Sequence, residues 1–466
     1  MKIFIFILFI STTISYLVFP LSKVSKEITA SDNQTIIIDK LSYSKLYITI
    51  NIGSKNVNVK ALVTQGRNEL IITGNNVINH KYNELDSESY FTNNEVIYFS
   101  IGTYNKGFLS TENFNIKNDT NNIQIVNDVN FILITETKYD SSDTPEAEIG
   151  LHLPYLESKE EYNFIMSLKH SNGTKSYNWY FDFDNFDKGE GKLVVDGFPD
   201  DLNKKYKHDK FISIYSPLKR EYTVDWGLIF SDVYYDEPKL VIKNNVKSQF
   251  DFDLGLISAT MENGGNMIKS LFFNKYIEAK ICHNDTFGVN KEVFFYCNNT
   301  NQFDKKEFKS IYLKDKELGI IFELDYNDLF YTRNNYIYFL ITFRQEKGDN
   351  QFWKLGELFL KKYYIVFNQE LKTVGYYQEM EKQKTPEPEE QKIQGTKFNV
   401  VILLSIIIVV LIIIIIVGVI IYIKKRPRKN RANELDDDNY IYEEKEENAD
   451  NRDDKNDKLV EQININ

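Results

Sequence analysis

The sequence predicts a mostly β body followed by a single membrane-spanning helix. Of its 466 residues, 31 are Tyr and 33 are Phe, and aromatic and β-branched residues favour strands. From Thr35 to about Tyr377, apolar segments alternate with turn residues, which is typical of strands rather than long helices. A nearly uniform run of Val, Ile and Leu follows at 398–423. The length is sufficient for a domain of two lobes with accessory segments.

The N-terminus has the composition of a secretory signal peptide. Met1-Lys2 precedes an apolar run, which matches the charged and hydrophobic regions of such peptides. We assign residues 1–22 to this signal. Small residues at Thr13 and Ser15 allow cleavage there, and Ser22 is another candidate. The alternative is an uncleaved N-terminal anchor, which is disfavoured because hydroxyl residues interrupt the apolar run.

The C-terminal part predicts a single-pass type I membrane protein. Residues 381–397 form a polar, proline-containing linker. The run at 398–423 can span a bilayer core of about 30 Å at about 1.5 Å per residue. The basic cluster Lys424–Lys429 then marks the cytoplasmic side. The β body is expected in the secretory lumen or outside the cell, and residues 424–466 form a disordered cytoplasmic tail.

Charge and cysteine content restrict the other chemistry. The formal net charge is -11, which disfavours a nucleic-acid partner. The five His are scattered without metal-ligand spacing, so we predict neither a metal nor another cofactor. Cys282 and Cys297 are predicted to form a disulfide, with two free thiols as the alternative. Candidate N-glycosylation acceptors are Asn33, Asn118, Asn172, Asn284 and Asn298.

Several segments carry a family pattern. Ala61–Ile72 has a strand, a short loop and an apolar strand, and Ser248–Ser258 has a similar arrangement. Phe352–Phe367 contains an apolar-apolar-Gly strand and a short helix, and Val374–Tyr376 closes the pattern. These segments resemble the two half-sites and the terminal motif of pepsin-like aspartic proteases, the eukaryotic aspartyl proteases.

The resemblance covers residues 36–380 and implies an overall architecture. In this family the fold is a bilobal double β-barrel, the acid protease fold. The lobes are expected at about 36–205 and 206–380. The pair Cys282 and Cys297 falls where the family has a disulfide in its C-terminal lobe.

The resemblance also identifies the positions of the catalytic acids. Each half-site of the family has an Asp-Thr-Gly loop whose Asp is half of a catalytic pair. Here Val63 stands at the first Asp position, and a shift of one residue puts Thr64 there instead. We assign the second Asp position to Asp253, which Leu254 and Gly255 follow. The chain therefore keeps only one acid of the pair in this alignment.

A predicted hairpin at Val96–Leu109 resembles the flap that covers substrate in the family. The flap usually carries a Tyr near the active site. The matching position is Ser100 or Ile101, and Tyr104 is expected in the hairpin tip. The strand Glu148–Leu153 resembles the one behind the first half-site, where Gly allows two backbones to pass closely.

Three functions follow from these patterns. The first is a non-catalytic pepsin-like domain that binds an extended peptide or a partner protein in its cleft. The second is an active membrane-bound aspartic endopeptidase with an atypical site. The third is a structural or adhesive surface glycoprotein with a vestigial cleft. The missing carboxylate at Val63 favours the first hypothesis.

Overall fold

The computed structural model describes one mostly β body. It covers residues 16–377, apart from 79, 100–101, 139–143, 154–159, 185, 187–190, 203–205, 220–223, 237–239, 263 and 346–351. Within this part of the chain, no helix is long and apolar enough to cross a bilayer. The predicted span at 398–423, the linker and the tail lie outside the described residues.

The first sheet contains thirteen strands. Numbered in chain order, they are β1 Leu17–Val24, β2 Lys45–Ile52, β3 Val57–Thr64, β4 Leu70–Thr73, β5 Phe91–Tyr98, β6 Tyr104–Asn118, β7 Ile123–Thr137, β8 Ala147–Gly150, β9 Asn178–Asp182, β10 Lys192–Val195, β11 Phe211–Tyr215, β24 Val366–Asn368 and β25 Thr373–Tyr377. Their order across the sheet is β11-β25-β24-β9-β10-β1-β2-β3-β8-β4-β7-β6-β5.

The second sheet contains twelve strands. They are β12 Pro217–Lys219, β13 Val224–Tyr235, β14 Leu240–Phe250, β15 Ile257–Thr260, β16 Cys282–Phe287, β17 Glu292–Asn298, β18 Ile311–Asp315, β19 Ile321–Leu324, β20 Phe330–Arg333, β21 Tyr336–Phe339, β22 Ile341–Arg344 and β23 Phe352–Leu355. The order is β19-β18-β13-β14-β23-β15-β22-β17-β21-β20, with β12 paired to β13 and β16 to β17.

The helices in the described part of the chain are short. They are α1 Gln34–Ser42, α2 Phe164–His170, α3 Pro199–Leu202, α4 Gly265–Ile268, α5 Asn274–Glu278, α6 Tyr326–Leu329 and α7 Glu357–Tyr363. A π-helical turn, Lys269–Phe273, joins α4 to α5. Further 3-10 turns lie at Glu84–Asp86, Glu160–Tyr162, His208–Lys210 and Lys305–Glu307.

Period-2 burial explains why these segments form strands. In β2, Leu46, Ile48, Ile50 and Ile52 are buried, while the residues between them are more exposed. This alternation places one face of the strand against the core. The prediction of a mostly β body is confirmed, and two sheets are consistent with the expected bilobal fold.

The chain passes from the first sheet to the second near the lobe boundary expected at about residue 205, which stays a prediction. Strand β11 pairs with β25 in the first sheet, and the chain enters the second sheet only at β12. It returns to the first sheet with β24 and β25. The second half of the chain therefore contributes strands to both sheets.

Strand β1 differs from the expected N-terminal organisation. It lies between β10 and β2, and Leu17, Phe19 and Leu21 are at most 2% exposed. Burying each of these side chains stabilises the fold by roughly 1.5–3 kcal/mol. The structure thus places residues 17–22, assigned above to the signal peptide, in the folded body, which also begins before residue 36.

The predicted disulfide between Cys282 and Cys297 is confirmed. The two residues lie directly opposite each other on β16 and β17. Their separation of 15 residues corresponds to a stabilisation of roughly 3 kcal/mol in the chain-entropy description. We expect Cys282→Ser/Cys297→Ser to lower the free energy of unfolding by this amount. Urea unfolding tests this, and an unchanged midpoint would contradict it.

Candidate functional site

The first half-site is the loop that joins β3 to β4. Thr64 ends β3 and lies opposite Gly150 of the parallel strand β8. Val63 is fully buried in the core, whereas Thr64 is only half-buried. The Thr64 Oγ1 atom accepts a hydrogen bond of 2.9 Å from the Gly66 backbone N–H. The side chain that leaves the core at this point therefore belongs to Thr64.

The second half-site joins β14 to β15 in the same way. Phe250 ends β14 opposite Leu355 of the parallel strand β23. The Asp251 backbone N–H donates to the Leu355 carbonyl at 3.0 Å. One carboxylate oxygen of Asp251 accepts a hydrogen bond of 3.2 Å from the Asp253 backbone N–H. The hydrogen bond from the Asp253 backbone N–H to Asp251 thus matches the one from the Gly66 backbone N–H to Thr64.

This hydrogen bonding fixes the correspondence between the loops. The same number of residues separates Thr64 from the start of β4 and Asp251 from the start of β15. Thr64 therefore corresponds to Asp251, and Val63 corresponds to Phe250, a buried residue. The sequence alignment that paired Val63 with Asp253 differs from this register. The one-residue shift to Thr64 agrees with it, and the acid at the matching position is Asp251.

One glycine in each half-site allows the loop to pass close to its neighbouring strand. An ideal Cβ on Gly150 would lie 2.5 Å from the Asn68 carbonyl carbon, and one on Gly356 would lie 2.1 Å from the Leu256 carbonyl oxygen. No side chain fits at either place. The expectation that Gly is needed where the two backbones pass closely is confirmed.

Gly255 passes close to a different part of the backbone, the N-terminal segment. An ideal Cβ on Gly255 would lie 2.3 Å from the carbonyl oxygen of Leu41. The Gly255 N–H donates to the Ser42 carbonyl at 2.9 Å, and the Ser44 N–H donates to the Asp253 carbonyl at 3.1 Å. The N-terminal segment therefore covers the second half-site. The sequence alone gives no signal for this contact, because its partners are distant in the chain.

Each half-site contains an ion pair, and one partner of each pair, Glu148 or Lys354, occupies an equivalent position. Glu148 lies two positions before Gly150, and Lys354 lies two positions before Gly356. The Glu148 carboxylate pairs with Arg67 Nε at 2.7 Å. The Asp251 carboxylate pairs with Lys354 Nζ at 3.0 Å, and Asp251 is only 6% exposed.

Asp253 differs from Asp251 in exposure and in its partners. It is exposed, and its carboxylate makes no hydrogen bond or ion pair with any described residue. Crowding by surrounding protein, followed by the charge of Asp251, raises the pKa of Asp253 to about 7. Glu148 acts in the same direction, and Lys45 opposes it.

The raised pKa of Asp253 predicts that the free energy of unfolding depends on pH. The folded state holds this proton to higher pH than the unfolded chain, whose reference pKa is 3.8. We expect wild type to lose stability relative to Asp253→Asn as pH rises from about 4 to about 7. Above that range the difference should level off. Urea unfolding of both proteins between pH 4 and 8 measures it, and a difference that grows in favour of wild type with pH would contradict the assignment.

The predicted hairpin is present as β5 and β6. Val96 pairs with Phe108 and Tyr98 with Lys106, which confirms the hairpin at Val96–Leu109. Ser100 and Ile101 lie outside the described residues. Tyr104 lies in the tip as expected, within the connection that the Tyr98–Lys106 pair and the hydrogen bond from Phe99 N–H to the Asn105 carbonyl enclose, and it is 1% exposed.

Tyr104 is buried next to Arg67 of the first half-site. The Arg67 guanidinium lies 5.0 Å from the centre of its ring. Among the described residues the buried Tyr104 hydroxyl has no hydrogen-bond partner. Burial, and then the charge of Glu148, raises the pKa of Tyr104. An ideal Cβ on Gly102 would lie 3.8 Å from Arg67 Nη2, so Arg67 links Glu148, Tyr104 and the turn of the hairpin.

His152 connects the two halves of the body. It is 4% exposed, its Nδ1 contacts the Leu153 carbonyl at 2.8 Å, and its Nε2 contacts the Asp225 carboxylate at 2.5 Å. Trp226 Nε1 donates to the Leu151 carbonyl at 2.7 Å. These buried contacts assign His152 a packing role rather than a role in catalysis.

The candidate glycosylation sites differ in accessibility. Asn33, Asn172 and Asn284 are exposed, and Asn118 and Asn298 are half-buried. The Asn118 side-chain oxygen accepts hydrogen bonds from Thr120 and Asn122. Glycosylation at these positions stays a prediction.

The groups that the site offers to a ligand are carboxylates, amines and backbone groups. In the described ranges, no group of three His, Cys, Asp or Glu side chains is arranged to hold a metal ion. The half-sites offer one buried Asp in an ion pair, one open Asp and a Thr hydroxyl. Hydrogen bonding and charge pairing are the interactions these groups can supply to a ligand.

Comparison with known proteins identifies the family. A comparison with curated proteins returns no match. The family model described as Eukaryotic aspartyl protease matches residues 41–378. This range includes both half-sites, the β5–β6 hairpin, and strand β23 with the Gly356 that follows it. The chain belongs to the eukaryotic aspartyl protease family.

Proposed function

We propose that the chain is a single-pass type I membrane protein whose pepsin-like domain binds extended peptide or protein segments without cleaving them. One observation carries the proposal. The position that corresponds to Asp251 in the first half-site is Thr64, a residue without a carboxylate.

Aspartic proteolysis requires two carboxylates that share one proton. Their mutual repulsion separates the two titrations, so one acts as a base toward water and the other as an acid toward the carbonyl. Thr64 cannot take either part. Asp251 is held in an ion pair by Lys354 at 3.0 Å. Loss of residues that act as a unit removes most of the rate.

Peptide binding does not depend on the acid pair. An extended peptide is held through backbone hydrogen bonds and through contacts with alternate side chains. The β5–β6 pair forms the antiparallel hairpin expected of a flap, and Arg67 approaches its turn. Asp253 adds an exposed acid that has no partner among the described residues. These features support a binding role for the cleft.

The membrane topology is supported by the sequence. The apolar run at 398–423 has the length of a bilayer span, and Lys424–Lys429 follows it directly. A tag on the tail and the five glycosylation candidates allow a direct test. We expect glycan on the β body and protease access to the tail in intact cell-derived vesicles. Glycan-free protein with a protected tail would overturn this topology.

A second candidate is an active endopeptidase with an atypical acid pair. The observation in its favour is that the charge of Glu148 reaches Asp253 and helps to raise its pKa to about 7. An acid with this pKa is partly protonated near neutral pH. Glu148, however, is already paired with Arg67 at 2.7 Å.

Proteolysis assays separate the two candidates. Purified full-length protein is incubated with a peptide library between pH 3 and 7, with and without a pepstatin-type inhibitor. We expect no cleavage from wild type, Asp251→Asn or Asp253→Asn. Inhibitor-sensitive cleavage that is lost in Asp253→Asn but kept in Asp285→Asn, an exposed control, would establish the second candidate.

Crosslinking tests the binding role. Peptides that carry a photoreactive group are irradiated with the full-length protein, and labelled sites are mapped by mass spectrometry. We expect labels near Asp253 and on β5 and β6, with competition by unlabelled peptide. Labelling that is scattered over the surface and not competed would overturn the binding proposal.

A further inference from the structure

We propose that the signal peptide is removed between Ser15 and Tyr16, so that strand β1 stays in the mature protein. The inference rests on the proposed entry of the chain into the secretory pathway. It goes beyond that proposal because it defines the processing site and the first residue of the mature protein. The reaction is a hydrolysis: the peptide bond between Ser15 and Tyr16 breaks, and water supplies the new carboxyl and amino termini.

The position of β1 excludes cleavage after Ser22. The strand pairs with β10 through Leu17 and Val195 and with β2 through Leu21 and Ile48. The ladder with β2 continues past Ser22 as far as Val24. A cut after Ser22 would divide this ladder and leave a gap between β10 and β2, because no other strand lies between them in the sheet.

The buried side chains of β1 point to the same conclusion. Leu17, Phe19 and Leu21 belong to the main hydrophobic core. Near the end of the strand, Lys23 pairs with the buried carboxylate of Glu357 at 2.7 Å. A protein that lost residues 16–22 would expose the core surfaces that these side chains cover.

Tyr16 is part of the folded body. It is 6% exposed, and its carbonyl accepts a hydrogen bond of 3.1 Å from the Asp119 N–H. An ideal Cβ on Gly197 would lie 3.1 Å from Cγ of the Tyr16 ring, so the ring covers this glycine. The folded body therefore includes Tyr16 as well as strand β1.

The residues before Tyr16 suit a signal peptidase. This class of enzyme requires small residues at the first and third positions before the cut. Ser15 and Thr13 occupy these positions for a cut before Tyr16. A cut after Ser22 would place Pro20 at the third position. The small residues Thr13 and Ser15 and the position of strand β1 thus both favour the bond between Ser15 and Tyr16.

The N-terminus of the mature protein tests the proposal. The full chain is expressed with a tag on its tail in eukaryotic cells, purified from membranes, and its N-terminal peptide is identified by mass spectrometry. We expect Tyr16. An N-terminus at Ile14 or Lys23 would overturn the assignment, and retention of Met1 would show that no leader is removed.

Two matched variants make the test specific. We expect Ser15→Arg to block processing, whereas Ser22→Arg, at an exposed position of β1, should be processed as wild type. The reverse pattern would refute the site. A fusion of the leader directly to Lys23 reproduces the downstream cut, and we expect it to yield no protease-resistant body. A stable body from that fusion would also refute the proposal. Peptide crosslinking on wild type reports the proposed function separately.

Discussion

The double variant Thr64→Asp/Lys354→Leu is expected to cleave peptides at acid pH, although wild type does not. The first change supplies a carboxylate where the Gly66 N–H already donates to a side-chain oxygen. The second releases Asp251 from its ion pair. Two acids at corresponding positions can then share a proton. General acid–base catalysis contributes about 10²–10⁴-fold, so we expect a gain of at least about 10²-fold over either single variant.

The measurement is the initial rate of peptide hydrolysis between pH 3 and 6, with a pepstatin-type inhibitor as a check. Val63→Asp/Lys354→Leu is the matched control, because it puts the same acid at the neighbouring position. Val63 is 0% exposed, so this control should be inactive and less stable. If it is the active variant, Val63 rather than Thr64 occupies the catalytic position.

Further substitutions in the active background identify the second acid. We expect Asp251→Asn to abolish the gained activity and Asp253→Asn to leave most of it. The opposite result would restore Asp253 to the position assigned from the sequence. It would also show that hydrogen bonding to Asp251 does not define the second half-site. No gain from Thr64→Asp/Lys354→Leu in a folded protein would refute the correspondence of Thr64 with Asp251.

Much of the fold could be predicted because its signals are local. The alternation in Leu46 to Ile52 indicates a strand, and the hairpin at Val96–Leu109 has apolar segments on both sides of a turn. Gly356 was predictable because a side chain at that point would collide with the next backbone. Such constraints depend on residues close in sequence or on one recurrent motif.

The identity of the second acid depends on contacts that sequence does not display. Gly255 resembles the glycine of an Asp-Thr-Gly loop, and aligning it with that glycine assigns the Asp position to Asp253. In the structure, Gly255 is required by the carbonyl of Leu41, which is distant in the chain. The hydrogen bond from the Asp253 N–H to Asp251 then sets the register.

The N-terminal strand shows a second limit of local patterns. Residues 17–22 are apolar because they enter a sheet, but a signal peptide is apolar as well. Hydropathy does not separate the two uses of such a run. Burial of Phe19 and the register of Leu21 with Ile48 identify the strand only once its partners are placed.

Gly356→Ala is expected to destabilise the fold by at least about 3 kcal/mol, the upper part of the usual range for overpacking. The added Cβ would lie 2.1 Å from the Leu256 carbonyl oxygen and 2.3 Å from that of Leu254. Both atoms belong to the backbone, so no side-chain rotation relieves the collision. The φ angle of Gly356 is -86°, which Ala adopts freely, so the cost arises from contact alone.

Gly66→Ala is the matched control, because the same change there meets only the Thr64 Oγ1 atom at 3.3 Å. We expect its free energy of unfolding to stay within about 0.5 kcal/mol of wild type. Urea unfolding of both variants measures the difference, and similar midpoints would show that the loop at Leu254–Leu256 yields easily. Because Leu254 adjoins Asp253, the Gly356→Ala collision also displaces the open acid. We therefore expect this variant to lose peptide crosslinking near Asp253 under conditions where it is still folded, which ties the close backbone passage to the binding site itself.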